Sequence, residues 1–250
     1  MEVESHAIIK TANEPHLIIS APISYKSPLG IDVEVKKHDK DENTFVVVMK
    51  HVVTDLDSAS YETEQELLRL ANLLSWHQNV IVTNHKVTGY QYSEVQGHTN
   101  ALILAGTAHV SASLSLTKTI GPESLRSFTE MMSMTYAEKT EEILLMWRDA
   151  LREESPFGRL LLMFQILEKL SGSRTGADRL IRELRPDVEL RMSGKKQDEE
   201  VSVYTYLRDC VHAKPENQRF PFSQFESRLS SFQQILRDAL NDYFSDLPKV

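Results

Sequence analysis

TKTIGPESLRSFTEMM, residues Thr117–Met132, holds the point at which apolar residues stop alternating and begin to recur every three or four positions. Alternation sends successive side chains to opposite faces of a strand, whereas a period of about 3.6 lines one face of a helix. Gly121 and Pro122 sit at the change and set a boundary between a β-rich module, residues 1–119, and an all-helical part, residues 120–250. The expected fold class is α+β: a mainly-β module with one helix, followed by a helical bundle.

Upstream of that point, β-branched runs recur with turn residues between them. HLIISAPI (His16–Ile23) ends at a turn with Ser27, Pro28 and Gly30, IDVEVKK (Ile31–Lys37) alternates strictly, and TFVVVMKHVV (Thr44–Val53) follows a charged turn. One helix interrupts the strands. Thr63 and Glu66 have capping-box spacing, Leu67, Leu70, Ala71 and Leu74 share a face, and Asn79 ends the run. Strand signals resume over Val80–Val87, Gly89–Val95 and Ala101–Leu116. The expectation is a sheet of about five to seven strands with the helix on one face.

Downstream, helices are expected over Pro122–Met134 and Glu138–Glu153, the second with Ile143, Trp147, Ala150 and Leu151 inward. Ser155 and Pro156 suit the cap and first turn of a helix over Phe157–Leu170, with Leu160, Phe164, Leu167 and Leu170 inward and Gly172 and Gly176 marking its end. Ala177–Leu184 makes a short helix, Pro186–Glu200 reads as a polar loop, and Val201–Ala213 as a helix stopped by Pro215. In the last helix Ser223 and Glu226 have capping-box spacing, and Phe225, Leu229, Phe232, Leu236, Leu240 and Tyr243 form one stripe. That stripe reads first as bundle core and second as a seam for a partner helix or another copy of the chain.

Composition narrows the function classes. The net charge is −8, and both sides of Thr119 are acidic, which excludes a protein gripping nucleic acid with its whole surface. The one positive segment runs from Lys169 to Lys196, with eight Lys and Arg against four Asp and Glu. A single cysteine, Cys210, excludes an internal disulfide and suits a reducing compartment. The acidic, proline-containing N-terminus lacks secretory-signal character, and no apolar run reaches the ~20 residues that span a bilayer, so the chain reads as cytoplasmic with no membrane partner.

YLRDCVHA, Tyr206–Ala213, is the one constellation with catalytic character. Arg208 and His212 lie four apart, sharing a helix face one turn apart. An imidazole near neutral pKa moves the proton of an RNA 2′-hydroxyl while a guanidinium steadies charge developing on phosphate, with Asp209 placed to orient either. The plainer reading is a cation in the last turn of a helix, favoured by the dipole alone. Arg179 and Arg182, with Arg185 beyond them, read either as a cationic ridge for RNA backbone or as a solvated helix face. Cys210 and His212 are two apart and do not face each other, so the thiol reads as a small buried hydrophobe. His51, His77, His85, His98 and His109 show no metal-ligand spacing, and no phosphate loop, dinucleotide fingerprint or serine-hydrolase elbow is present. No metal or cofactor is expected.

MWRDALREESPFGRLLLMFQILEKL (Met146–Leu170) followed by LRDCVHA (Leu207–Ala213) resembles the HEPN-type domains of the MauJ-like and ApeA-like families. The resemblance covers roughly residues 120 to 245, with Phe164-Gln-Ile-Leu-Glu168 in the place of the family's aromatic-to-acidic element and Arg208 and His212 in that of its Arg–His element. It implies metal-independent RNA cleavage, with Arg208 and His212 as the catalytic pair, Asp209 at the polar position after the arginine, and a homodimer in which two motifs face one another. Only Asp209, Cys210 and Val211 separate the pair, fewer residues than the family places there. Many members are non-catalytic and use the same helices for docking. Two functions are therefore expected: an RNA-directed endoribonuclease of defence or toxin type, restrained by a β-rich module with its own protein partner, or an interaction and dimerisation module with a structural Arg–His pair.

Overall fold

The computed structural model describes residues 1–12, 16–19, 21–39, 41, 43–93, 99–103, 117–120, 122–193, 199–212 and 222–247. The chain divides into two compact units, Met1–Leu144 and Leu145–Lys249.

The first unit is built on a six-stranded antiparallel sheet. Its strands are β1 (Glu2–Thr11), β3 (Ile23–Lys26), β4 (Asp32–Lys37), β5 (Thr44–Val52), β6 (Val82–Ser93) and β7 (Thr99–Ile103), in the order β3-β4-β5-β1-β6-β7. β1 lies at the centre, with Val3 opposite His51 and Tyr92, and Ala7 opposite Val47 and Val87. The sequence reading missed β1, and the reason is chemical. Its inner face is Val3, Ser5, Ala7, Ile9 and Thr11, all buried, but two of the five are hydroxyl residues and one is alanine, so the hydrophobic alternation is faint. HLIISAPI splits where one strand was expected: β2 (His16–Ile19) pairs in parallel with β8 (Thr117–Ile120), while β3 pairs with β4. The strands expected on either side of Thr88 are one, β6, bulged opposite His6 and Ala7. Beyond Ile103, the strand expected to Leu116 lies outside the described residues.

Helix α1 (Leu56–Gln78) packs on β1 and β6, with Leu67, Leu70, Ala71 and Leu74 buried as their spacing predicts. It starts a full two turns earlier than expected. Asp55 is the cap, accepting from the Ser58 N–H at 2.7 Å, and Asn79 closes the helix in the left-handed region at φ 53°. Thr63 and Glu66 are not a capping box but buried polar groups inside the helix. Thr63 meets Ser5 of β1 at 2.9 Å. Glu66 accepts from the Tyr25 hydroxyl of β3 at 2.7 Å and holds Arg69 in a bidentate pair at 2.9 Å. Arg69 in turn donates to the carbonyls of Met132 and Met134, at the end of helix α2 (Pro122–Met132), where a cation complements the helix dipole. The Tyr136 hydroxyl, pushed up to about 12 by burial, donates to the Met131 carbonyl at 3.1 Å.

Burial, and next the Glu66 carboxylate, hold the Tyr25 hydroxyl well above its ordinary 10.0. A group whose folded pKa is raised contributes stability that is complete below the unfolded pKa and drains away as pH climbs through the folded one. Stability should therefore fall as pH rises past about 10, and Tyr25→Phe should flatten that fall. Urea unfolding of both proteins near pH 8 and pH 11 checks this; equal losses in parent and variant would contradict it.

Helix α3 (Glu138–Arg152) contains the division between the units and buries Ile143, Trp147, Ala150 and Leu151 as expected. Arg148 occupies the same buried stripe, and its Nε and Nη1 have no hydrogen-bond partner among the described residues. Its ion pair with the half-exposed Asp149 is a loose 3.7 Å contact, and a buried cation so weakly compensated costs stability, so Arg148→Leu is expected to stabilise the fold by about 1–4 kcal/mol. A lower melting temperature in that variant would contradict the assignment.

The second unit packs α4 (Pro156–Ser171) against α5 (Arg174–Leu184) and α7 (Phe222–Ser245), with α6 (Val203–His212) alongside. Ser155 caps α4 and Gly172 closes it at φ 80°, both as expected; Gly176 lies in the first turn of α5, which Ser173 caps. The α7 stripe is core at Phe225, Phe232, Leu236 and Leu240 and half-buried at Leu229 and Tyr243. Phe232 stacks on Phe164 at 6.1 Å and on Tyr204 at 4.7 Å. Ser223 sits inside the first turn of α7 rather than ahead of it. The segment expected to be a plain loop carries β9 (Leu190–Met192), which pairs antiparallel with β10 (Glu200–Ser202), so Val201 and Ser202, expected to open the next helix, are strand instead. Among the described residues no helix is long and apolar enough to cross a membrane.

Candidate functional site

β10 runs directly into α6, and the junction is fixed by α5. The Ser202 N–H donates to Asp178 at 2.8 Å, and the Ser202 hydroxyl accepts from the Thr205 N–H at 3.3 Å as a helix cap. With Val203, Leu207 and Thr205 buried, the rotation of α6 is set, and so are the directions in which Arg208 and Asp209 leave it.

Arg208 Nη2 donates to Glu168 Oε1 of α4 at 2.8 Å, and its guanidinium carbon stands 5.8 Å from the Phe164 ring centre. Its Nη1 donates to Asp209 Oδ1 at 3.3 Å, and the side chain is 18% exposed. Asp209 is 1% exposed. Arg174, from the first turn of α5, clasps it: Nε reaches both carboxylate oxygens at 3.0 Å and Nη2 bonds Oδ2. That hydrogen bonding outweighs burial and holds the Arg174 guanidinium above its ordinary value. Arg174 also lies 3.5 Å from the Ser193 hydroxyl and 3.7 Å from Glu199. Two guanidiniums thus share one buried carboxylate, and each has a more exposed second one, Glu168 or Glu199, on its outer side.

Of the residues singled out by spacing, Arg208 and Asp209 come together with Phe164 and Glu168. Asp209 accepts from Arg208 at 3.3 Å, but its larger bond is to Arg174, 35 residues away, which sequence reasoning placed in the basic segment without a role. His212 is the last residue of α6, and its side chain lies outside those described. The ridge of Arg179, Arg182 and Arg185 is divided among separate partners. Arg182 pairs with Asp178 at 2.9 Å and donates to the Glu200 carbonyl, and Arg185 pairs with Asp238. Among the described residues, Arg179, 76% exposed, has only a loose contact with Glu183 at 3.8 Å.

Burial raises the Cys210 thiol, against a hydrogen bond with Tyr206, so it is not activated as a nucleophile. In the first unit, His51 lies 3.1 Å from Glu62 and 3.5 Å from the Ser5 and Thr63 hydroxyls. The order serine, histidine, glutamate is that of a hydrolase, but Ser5 is fully buried and closed to substrate, so the group is a polar clasp between β1, β5 and α1. Among the described residues no cluster of His, Cys, Asp and Glu is placed to hold a metal; His98 and His109 lie outside them.

No protein-family model, curated protein or solved structure matches this chain.

Proposed function

We propose that the helical unit is a HEPN-like module that acts on RNA as a homodimer, with Arg208 contacting a phosphate and His212 moving the 2′-hydroxyl proton. One observation carries the reading. Phe164 and Glu168, which stand for the first element of the resemblance, converge on Arg208, which opens the second, across a separation of 40 residues. Asp209 is then a positioning residue rather than a catalytic one, because a carboxylate sealed beneath two guanidiniums touches no substrate. Glu168 is the counter-ion that an entering phosphate displaces.

Purified protein incubated with mixed-sequence single-stranded RNA in EDTA should cleave it. Arg208→Ala and His212→Ala should each lower the rate by about 10²–10³, the usual loss for a group that stabilises a transition state. RNA left intact by the parent overturns the catalytic reading.

A second reading, an interaction module with a structural arginine, is favoured by the charge balance of the cluster. Arg174 and Arg208 face Asp209, Glu168 and Glu199, so the guanidiniums are already matched by carboxylates. On that reading Arg208→Ala lowers the melting temperature and the parent never cuts RNA.

A further inference from the structure

We infer that Arg174 is a second phosphate-contacting residue of the α6 site, held beside Arg208 by Asp209. This rests on the RNA reading above and extends it from one cation to two. Arg174 stands in an unfavourable place. It opens α5, where the positive end of the helix dipole repels a cation and no acidic residue of the first turn offsets it. What holds it there is Asp209, through three hydrogen-bonding contacts from another helix. Because Asp209 also accepts from Arg208, one buried carboxylate fixes the spacing of two guanidiniums and leaves the trio with a net positive charge.

The outer carboxylates differ in kind from the inner one. Asp209 is sealed, whereas Glu168 and Glu199 are 23% and 29% exposed. The Arg174 to Glu199 contact, at 3.7 Å, is longer than a hydrogen bond. Glu199 therefore neutralises Arg174 without engaging its donors fully, and a phosphate oxygen, which accepts from a guanidinium fork, is the better partner. The ligand class is a single-stranded polyanion whose adjacent phosphates meet two fixed guanidiniums, with Glu168 and Glu199 as the groups displaced.

The test is binding of a 5′-labelled, mixed-sequence single-stranded RNA in EDTA, titrated between about 50 and 200 mM salt, with every protein, the parent included, carrying His212→Ala so that the RNA stays intact. The parent is compared with Arg174→Gln, in which Asp209 keeps Arg208 as its donor. Arg174→Gln should show a salt dependence shallower by about 0.7 in log–log slope, the value for one phosphate contact on a single strand. Glu199→Gln should tighten binding about fivefold, the worth of one weak ion pair. If Arg208→Gln weakens binding while the Arg174 comparison and Glu199→Gln change nothing, Arg174 has no part in the site and the RNA reading stands. If the parent binds no RNA, both fail.

Discussion

Arg69→Ala is expected to cost the sheet unit about 3–5 kcal/mol, the loss seen when one partner of a buried ion pair is removed. Glu66 has no exposed surface, so without the guanidinium its carboxylate keeps, among the described residues, only the Tyr25 hydroxyl as a side-chain donor. The same substitution strips the donor from the Met132 and Met134 carbonyls, which leaves the end of α2 short of partners. Three elements, β3, α1 and the end of α2, are joined by this one side chain and its partner. Removing both charges should be milder: Glu66→Gln/Arg69→Met strands no ion and is expected to recover more than half of the loss. Hydrogen exchange in α1 under urea reads the unit directly; a loss below about 1 kcal/mol would mean that water reaches Glu66 and that the pair is not buried as described.

Asp209→Ala is expected to cost the helical unit about 3 kcal/mol, at the low end of the same range because both arginines retain some exposure. The two guanidiniums it separates would then repel one another across a vacated buried space. Arg208→Ala should be far gentler, about 1 kcal/mol, since Asp209 keeps Arg174 and Glu168 is partly solvated. The ordering matters more than the size. If Arg208→Ala proves as damaging as Asp209→Ala, Arg208 is a structural cross-link and the interaction reading gains.

The helices were legible because their signals are local: Ser155 before Pro156, Gly172 after the apolar run, and the Phe225 to Leu240 stripe all act within a few residues of themselves. β1 was not, because a strand at the centre of a sheet is specified by its neighbours, and Ser5 and Thr11 hide its alternation. Thr63 and Glu66 misled for the opposite reason. Their spacing is that of a cap, but both are recruited by residues far away, Ser5 and Tyr25. The same applies to the site. Arg208 and Asp209 stood out because they lie within four residues of His212 in the chain, while Arg174 became visible only when α5 was laid beside α6.

On the RNA reading, Arg208 gives up its pairing with Glu168 to take a phosphate. The deciding measurement is the affinity of Glu168→Gln for single-stranded RNA, made in a His212→Ala background so that the RNA stays intact. Removing the displaced carboxylate should tighten binding about fivefold, an ion pair's worth of roughly 1 kcal/mol. Unchanged or weaker binding would show that the arginine belongs to the scaffold and not to a site.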